Sequence, residues 1–207
     1  MAQKKKTTGT IAGIIANLLT VEVNGPVQQN EICYVERAKN HLMAEVIKVM
    51  GKYAYVQVFE DTSGVRVGDQ VTFDGHMLEV TLGPGLLQKN FDGLQNDLDL
   101  KEGIFLNQGD YTPALDEEKE YEFKPLVKKG EEVTTAIWLG EVKENWIPHK
   151  IMVPFTFKGK YTVKEIKSEG KYKLNETIAV LTDQDGDDHE VSMIQKWPVK
   201  VANKAYK

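Results

Sequence analysis

Apolar and polar residues alternate with a period of two over much of this chain, so the sequence predicts strands rather than helices. Leu19, Val21 and Val23 alternate with Thr20 and Glu22 until Asn24-Gly25-Pro26 ends the run. Ala54, Val56 and Val58 alternate with Tyr55 and Gln57. A strand over 42–49 precedes them across Gly51-Lys52, which reads as a hairpin turn. A further strand is expected over 65–73, interrupted by Gly68-Asp69. Short strands at this spacing predict a small closed barrel, in which closure removes the edges that invite aggregation.

The pattern changes after Val80. Leu82-Gly83-Pro84-Gly85-Leu86-Leu87 reads as a turn opening into a short helical run that ends near Leu98, with Gly93 inside it. From Asp110 to Lys129 the chain is polar, acidic and punctuated by Pro113 and Pro125, which reads as a boundary before a second β unit. That unit runs through Ile137-Trp138-Leu139, Ile151-Met152-Val153, 161–166 and 178–181, then an acidic turn over 183–189 and a final strand over 191–201 broken by Pro198. Gly68-Asp69-Gln70-Val71 is echoed by Gly130-Glu131-Glu132-Val133: a glycine able to take positive φ, then an inward valine. The expected fold is mainly β. A small closed barrel spans 1–75, a linker with a short helix 76–110, a compact β-sandwich-like module 111–190, and a returning strand 191–207.

Composition narrows the function classes. The chain has 207 residues, 41% of them hydrophobic, enough for one substantial domain or two small ones. Charged residues make up 28%, mixed in sign, with a net charge of -5, so no nucleic-acid footprint is visible. Cys33 is the only cysteine, which excludes an internal disulfide or a CxxC motif and fits a reducing compartment. Lys4, Lys5 and Lys6 precede an apolar stretch over 11–19 that Gly13 and Asn17 interrupt, so neither a signal peptide nor a bilayer span of ~20 apolar residues is expected. The expectation is a soluble protein whose membrane link runs through partners.

The search for chemistry singles out no catalytic, cofactor-binding or metal residue. No G-x-x-x-x-G-K-[ST] phosphate loop occurs, and Gly83-Pro84-Gly85 lacks the spacing and lysine of one. His41, His76, His149 and His189 show no metal-site spacing. Asp183, Asp185, Asp187 and Asp188 surround Gly186, but the glutamate a calcium loop needs at its twelfth position falls on Ile194. Ser63, Ser168 and Ser192 lack a nucleophile elbow. His149-Lys150-Ile151-Met152 resembles the modified-lysine hairpin of biotinyl and lipoyl carrier modules, with Pro148-His149 in place of the usual residues.

A more extensive resemblance runs in order from about Gly9 to Lys200. The stretch Val56-Gln57-Val58-Phe59-Glu60-Asp61-Thr62-Ser63-Gly64-Val65-Arg66-Val67-Gly68 is similar to the "QVYEETxGLxxG" segment of A subunits in V/A-type rotary ATPases. Leu82-Gly83-Pro84-Gly85-Leu86-Leu87 and Phe91-Asp92-Gly93-Leu94-Gln95 resemble "LGPGLLxxIxDGIQRPL", with Asn96-Asp97 where Arg-Pro is usual. Gly103-Ile104-Phe105-Leu106, then Pro113-Ala114-Leu115-Asp116 with Glu122-Phe123 and Pro125, follow in family order. His149-Lys150-Ile151-Met152-Val153-Pro154 matches "HKIMVP" and Gln195-Lys196-Trp197-Pro198-Val199 matches "QKWPV". The second module departs in two places: Thr135-Ala136-Ile137-Trp138 stands for a "GGD" turn, and Phe155-Thr156-Phe157 for a "PPG"-like loop.

The resemblance implies an architecture and a role. In that family an N-terminal crown barrel precedes an inserted bulge domain, and the nucleotide-binding domain that holds ATP and Mg lies beyond these residues. The expected role is scaffolding in the catalytic A subunit (alpha chain). Its partners would be the B subunit of the same ATPase head and, through the bulge, peripheral stalk subunits. No nucleic acid and no membrane insertion are implied. The location would be cytoplasmic, peripheral to a membrane, and the whole subunit would couple ATP synthesis or hydrolysis to proton or sodium transport. The rival readings are a barrel with a carrier-like second domain modified at Lys150, and a truncated regulatory paralogue.

Overall fold

The structure, a computed structural model, describes residues 6–38, 40–101 and 107–204. The motif at 103–106 therefore lies outside the described residues. The chain divides into two compact units: Met1–Glu79 with Lys101–Tyr111 and Pro198–Lys200, and Val80–Leu100 with Thr112–Trp197 and Val201–Lys207.

The first unit is built on strands β1 (Thr7–Ile15), β2 (Leu18–Val23), β3 (Glu31–Glu36), β4 (His41–Met50), β5 (Tyr53–Val58) and β6 (Gln70–Met77). They close in the order β1-β2-β5-β4-β3-β6, all neighbours antiparallel. Alternation decides the interior. Leu19, Val21, Ala54, Val56 and Val58 point inward beside Val35, Leu42, Val71 and Phe73, all buried. Bulges fall between Ile11 and Gly13, between Val46 and Lys48, and across Glu31/Cys33. Such bulges bend strands sharply enough to close so small a barrel.

The turn chemistry works as read, with one difference. β4 and β5 meet across Gly51-Lys52, and Gly51 has φ 57°. The expected strand over 65–73 begins only at Gln70, because 65–69 is spent on turns that hand Gly68 N–H to Ile11 O at 2.8 Å. Gly68 and Gly130 both take positive φ, 98° and 89°, and the valines after them, Val71 and Val133, are buried.

The second unit packs two open four-stranded sheets. One has the order β11-β10-β8-β13, from β8 (Glu120–Pro125), β10 (Trp138–Glu144), β11 (Ile147–Met152) and β13 (Gly170–Lys173). The other has the order β15-β14-β12-β9, from β9 (Glu132–Thr134), β12 (Lys160–Ile166), β14 (Ala179–Thr182) and β15 (Asp188–Val191). Phe123, Val142, Ile151, Leu174 and Ile178 centre one core, and Leu139, Val153, Val163 and Leu181 a second. Ile166 packs against both. A two-stranded ribbon of β7 (Glu79–Leu82) and β16 (Gln195–Pro198) lies almost wholly in this unit.

Three sequence expectations give way here. The helical run after Leu82 does not form, and among the described residues only a 3-10 turn, Leu98–Leu100, is helical. Gln88 and Gln95 take positive φ, 67° and 63°, and Asp92 spends its carboxylate on the N–H groups of Leu94 and Asn96 instead of leaving them to a helix. The boundary at 110–129 contains β8, whose Tyr121 and Phe123 alternate inward between charged neighbours. The strand expected over 191–201 is confined to β16, which Pro198 ends.

Ala136, in the turn where the resemblance expects glycine, takes φ 65° and donates its N–H to Val153 O at 3.1 Å. The left-handed backbone is kept and a methyl group strains it. Relief of that strain, offset by the greater freedom of glycine in the unfolded chain, leaves Ala136→Gly stabilising by about 0.5 kcal/mol. Chemical denaturation checks this, and a loss of stability would contradict it.

Candidate functional site

The polar groups that drew attention in the sequence are engaged by the chain itself, through hydrogen bonds, ion pairs or ring contacts. Gly83-Pro84-Gly85 forms a turn in which Gly85 N–H donates to Glu144 Oε1 at 2.7 Å and Leu87 N–H to the same oxygen at 3.2 Å. These amides do face an anion, but it is a carboxylate of the chain itself. The turn therefore does not fit a nucleotide's phosphates.

The acidic tip behaves likewise. Asp183 accepts the N–H groups of Asp185 and Asp187 on one oxygen and His189 Nε2 on the other. The His189 hydrogen bond, then the Asp187 amide, hold the Asp183 carboxyl below the usual range. Asp188 is held low by Lys164 and Thr182. Among the described residues no group of His, Cys, Asp and Glu could hold a metal ion. His41 stacks on Tyr111 with Tyr34 at its edge, and His76 faces Asp74 at 3.6 Å. Cys33 is fully buried, and burial first, then the charges of Glu31, Asp74 and Glu45, push its thiol up out of the reactive range. Ser63 N–H donates to Asp61, Ser168 O accepts from Tyr172, and Ser192 Oγ donates to Ile194 O.

The carrier reading fails on position. Lys150 lies within β11, not at a hairpin tip. Its ammonium bonds Glu141 and sits 5.0 Å from the centre of the Trp138 ring. The lysine hydrogen bond is the main reason the Glu141 carboxyl is held low.

What the sequence search missed are polar hubs that bind distant motifs together. Glu144 is only 5% exposed: one oxygen carries the two turn amides and the other faces His149 Nδ1 at 2.7 Å. The "LGPGLL" turn and the "HKIMVP" strand thus share one buried carboxylate. In the first unit, Glu60 accepts Gly109 N–H and Tyr111 O–H, each at 2.6 Å, while Tyr111 Oη accepts Met43 N–H at 2.7 Å. Asn40 Nδ2 donates to Gln108 O, and Arg37 donates to Gln108 Oε1. The "FEDTSG" stretch therefore straps 107–111 onto the barrel. Burial and the Glu60 carboxylate raise the Tyr111 phenol, keeping it a donor. A third hub explains the substitution of Arg-Pro: Asp97, 1% exposed, is paired with Lys89 at 2.7 Å, and Asn96 Oδ1 accepts Thr112 N–H. A buried carboxylate without its lysine would be costly, so Lys89 and Asp97 act as a pair. No local signal marks these residues, because their partners are up to 71 positions away.

The remaining features are surfaces. An apolar groove of about 290 Å³ is lined by Leu82, Leu86, Leu87, Met152, Pro154 and Ile194. Trp138 and Trp146, at opposite ends of the β10–β11 hairpin, are exposed, Trp146 to 73%. Among the described residues no helix is long and apolar enough to cross a membrane.

Comparison with known proteins agrees with this division. The β-barrel domain of the ATP synthase alpha/beta family matches residues 11–75, and the alpha/beta subunit barrel-sandwich domain matches residues 112–200. The chain is 42% identical over 205 residues to a V-type ATP synthase alpha chain of Borrelia garinii subsp. bavariensis, covering 98% of this chain and 36% of that one. It is 45% identical to the V-type ATP synthase alpha chain of Treponema denticola, covering 97% and 35%. The figure is 40% for that of Protochlamydia amoebophila, covering 97% and 34%. The chain thus spans about a third of the length of the curated relatives it matches.

Proposed function

Because the chain belongs to the ATP synthase alpha/beta family, we propose that it serves as the assembly region of the catalytic A subunit, or alpha chain, of a V-type head. The observation that carries this is a sealed barrel followed by a separate two-sheet unit, in the family's domain order, with the shared motifs held by buried hubs rather than aimed at a ligand.

A closed barrel suits that task. It has no edge strand to recruit a stray sheet, so it meets neighbours only through side chains. In this reading alternating A and B barrels ring the head and keep the catalytic domains in register. The longer subunit binds ATP and Mg through residues outside this chain, and couples ATP hydrolysis or synthesis to proton or sodium movement. The head sits on the cytoplasmic side, peripheral to the membrane. The outer face of the β11-β10-β8-β13 sheet, with its two exposed tryptophans, is suited to the peripheral stalk, since exposed aromatics anchor protein interfaces.

Sedimentation velocity of the chain mixed with the B subunit of the same enzyme tests the proposal. A complex is expected, and chains that sediment independently at every concentration would overturn it.

A further inference from the structure

Of the 26 lysines and arginines in the chain only two, Arg37 and Arg66, are arginines. Both line one open cleft of about 700 Å³ on the barrel unit. Strand pairing brings them there. β3 and β6 run antiparallel with Val35 opposite Val71, so the chain leaves β3 toward Arg37 beside the point where it enters β6 from Arg66. The connection that carries Arg66 is fixed by its own bonds. Asp69 Oδ2 accepts Arg66 N–H at 2.8 Å, and Asp69 N–H donates back to Arg66 O at 3.1 Å. Arg37 lies against Gly64, which has φ 87° and where an added Cβ would stand 2.8 Å from Arg37 Nη2. Glycine at that position gives the guanidinium its room.

Neither guanidinium meets a carboxylate. Ten lysines are ion-paired, whereas among the described residues neither arginine is. Arg37 is half-buried and donates to Gln108 Oε1 at 2.8 Å, which leaves most of its N–H groups unspent. The Arg66 side chain is exposed. Two carboxylates also line the cleft, but Asp69 is committed to the Arg66 backbone, and Glu36 is exposed and pairs with neither arginine. A guanidinium is a rigid fork of donors matched to oxyanions. Two forks on one cleft suit a group with more charge and more oxygens than a single carboxylate.

We propose that this cleft binds the phosphate group of a small molecule, with Arg37 and Arg66 donating to its oxygens. The site lies wholly in the first unit and does not depend on the assembly role. Glu36 and Asp69 balance the arginines in formal charge, so attraction acts at short range through the forks. A dissociation constant of roughly 1 mM is expected for inorganic phosphate.

NMR of the nitrogen-labelled chain tests this directly, because two arginines give two side-chain Nε–H signals. Inorganic phosphate and pyrophosphate are expected to move both signals along saturating curves, and acetate at equal ionic strength to bind about tenfold more weakly. Arg66→Gln, and Arg37→Lys, which keeps the charge and loses the fork, should each weaken phosphate binding about tenfold or more. Lys143→Gln, an exposed cation of the second unit, should leave it unchanged. Should Arg37→Lys lose its circular dichroism spectrum, Arg66→Gln carries the test alone, since its side chain faces solvent. Equal affinity for phosphate and pyrophosphate means that one phosphate group is read, and tighter pyrophosphate that a polyphosphate chain is read. Either supports the proposal. Signals unmoved by millimolar phosphate, an equal response to acetate, or an affinity that survives Arg66→Gln overturns it. So does a cleft that takes an oligoglutamate peptide and neither phosphate, which would make the arginines a protein contact.

Discussion

Gly140→Ala is expected to destabilise the second unit by about 3 kcal/mol, through overpacking a filled core. A Cβ at position 140 would lie 2.2 and 2.5 Å from the ring carbons of Phe123 and 2.8 Å from Lys124 O. The ring has nowhere to go, since Phe123 is fully buried. The carbonyl belongs to β8, paired with β10 at this point, so it moves only if the ladder opens. For a unit of this size the loss corresponds to a fall in Tm of about 12–24 °C. Gly93→Ala, in the same unit with nothing within 4 Å of the added methyl, is the control and should stay within about 0.5 kcal/mol of wild type. Phe123→Leu trims the ring, so part of the cost of Gly140→Ala should vanish in that background, and a double-mutant cycle reads the coupling. Equal melting of Gly140→Ala and Gly93→Ala would show that the close approach has no energetic weight.

The second large effect is expected at Glu144. Alanine there removes the acceptor of the Gly85 and Leu87 amides and the partner of His149 together, at a cost of about 2–3 kcal/mol. Glutamine keeps an oxygen for the amides and can turn its NH2 toward His149, whose ring nitrogen then accepts, so Glu144→Gln should cost about 1 kcal/mol or less. Amide hydrogen exchange separates this from general softening. Protection at Gly85 and Leu87 should be lost in the alanine variant and kept in the glutamine one. If both amides exchange alike in wild type and Glu144→Ala, the carboxylate does not hold the turn.

The two sites differ in how visible they were. Gly140 is a glycine within a strand, a position that signals close backbone approach, although nothing local says what approaches. Glu144 is one glutamate among many charged residues. It sits inward on β10, where alternation alone would place an apolar side chain. Its burial is tolerable only because two amides and a histidine converge on it, and those donors come from a turn nearly sixty residues earlier and from the next strand. The same holds for Glu60 with Tyr111, and for Asp97 with Lys89. The linker shows the converse error. Its apolar spacing suggested a helix, but Asp92 and the left-handed residues Gln88 and Gln95 compete locally for the backbone and win. Overreading polarity likewise hid β8, whose exposed face is charged while Tyr121 and Phe123 fill the core.

Sequence alone determined what depends on near neighbours: the period-two strands, the glycine turns before Val71 and Val133, the two β units, and the family to which the ordered motifs belong. Those features are legible because side-chain direction in a strand and positive φ in a turn are properties of a few consecutive residues. Tertiary structure decided the strand order by which the expected barrel closes, the burial of Glu144 and Asp97, and the bonding of Glu60 to Gly109 and Tyr111. The physical reason is that a buried charge or an exposed hydrophobe is defined by what surrounds it in space, and those surroundings come from residues far away in the chain.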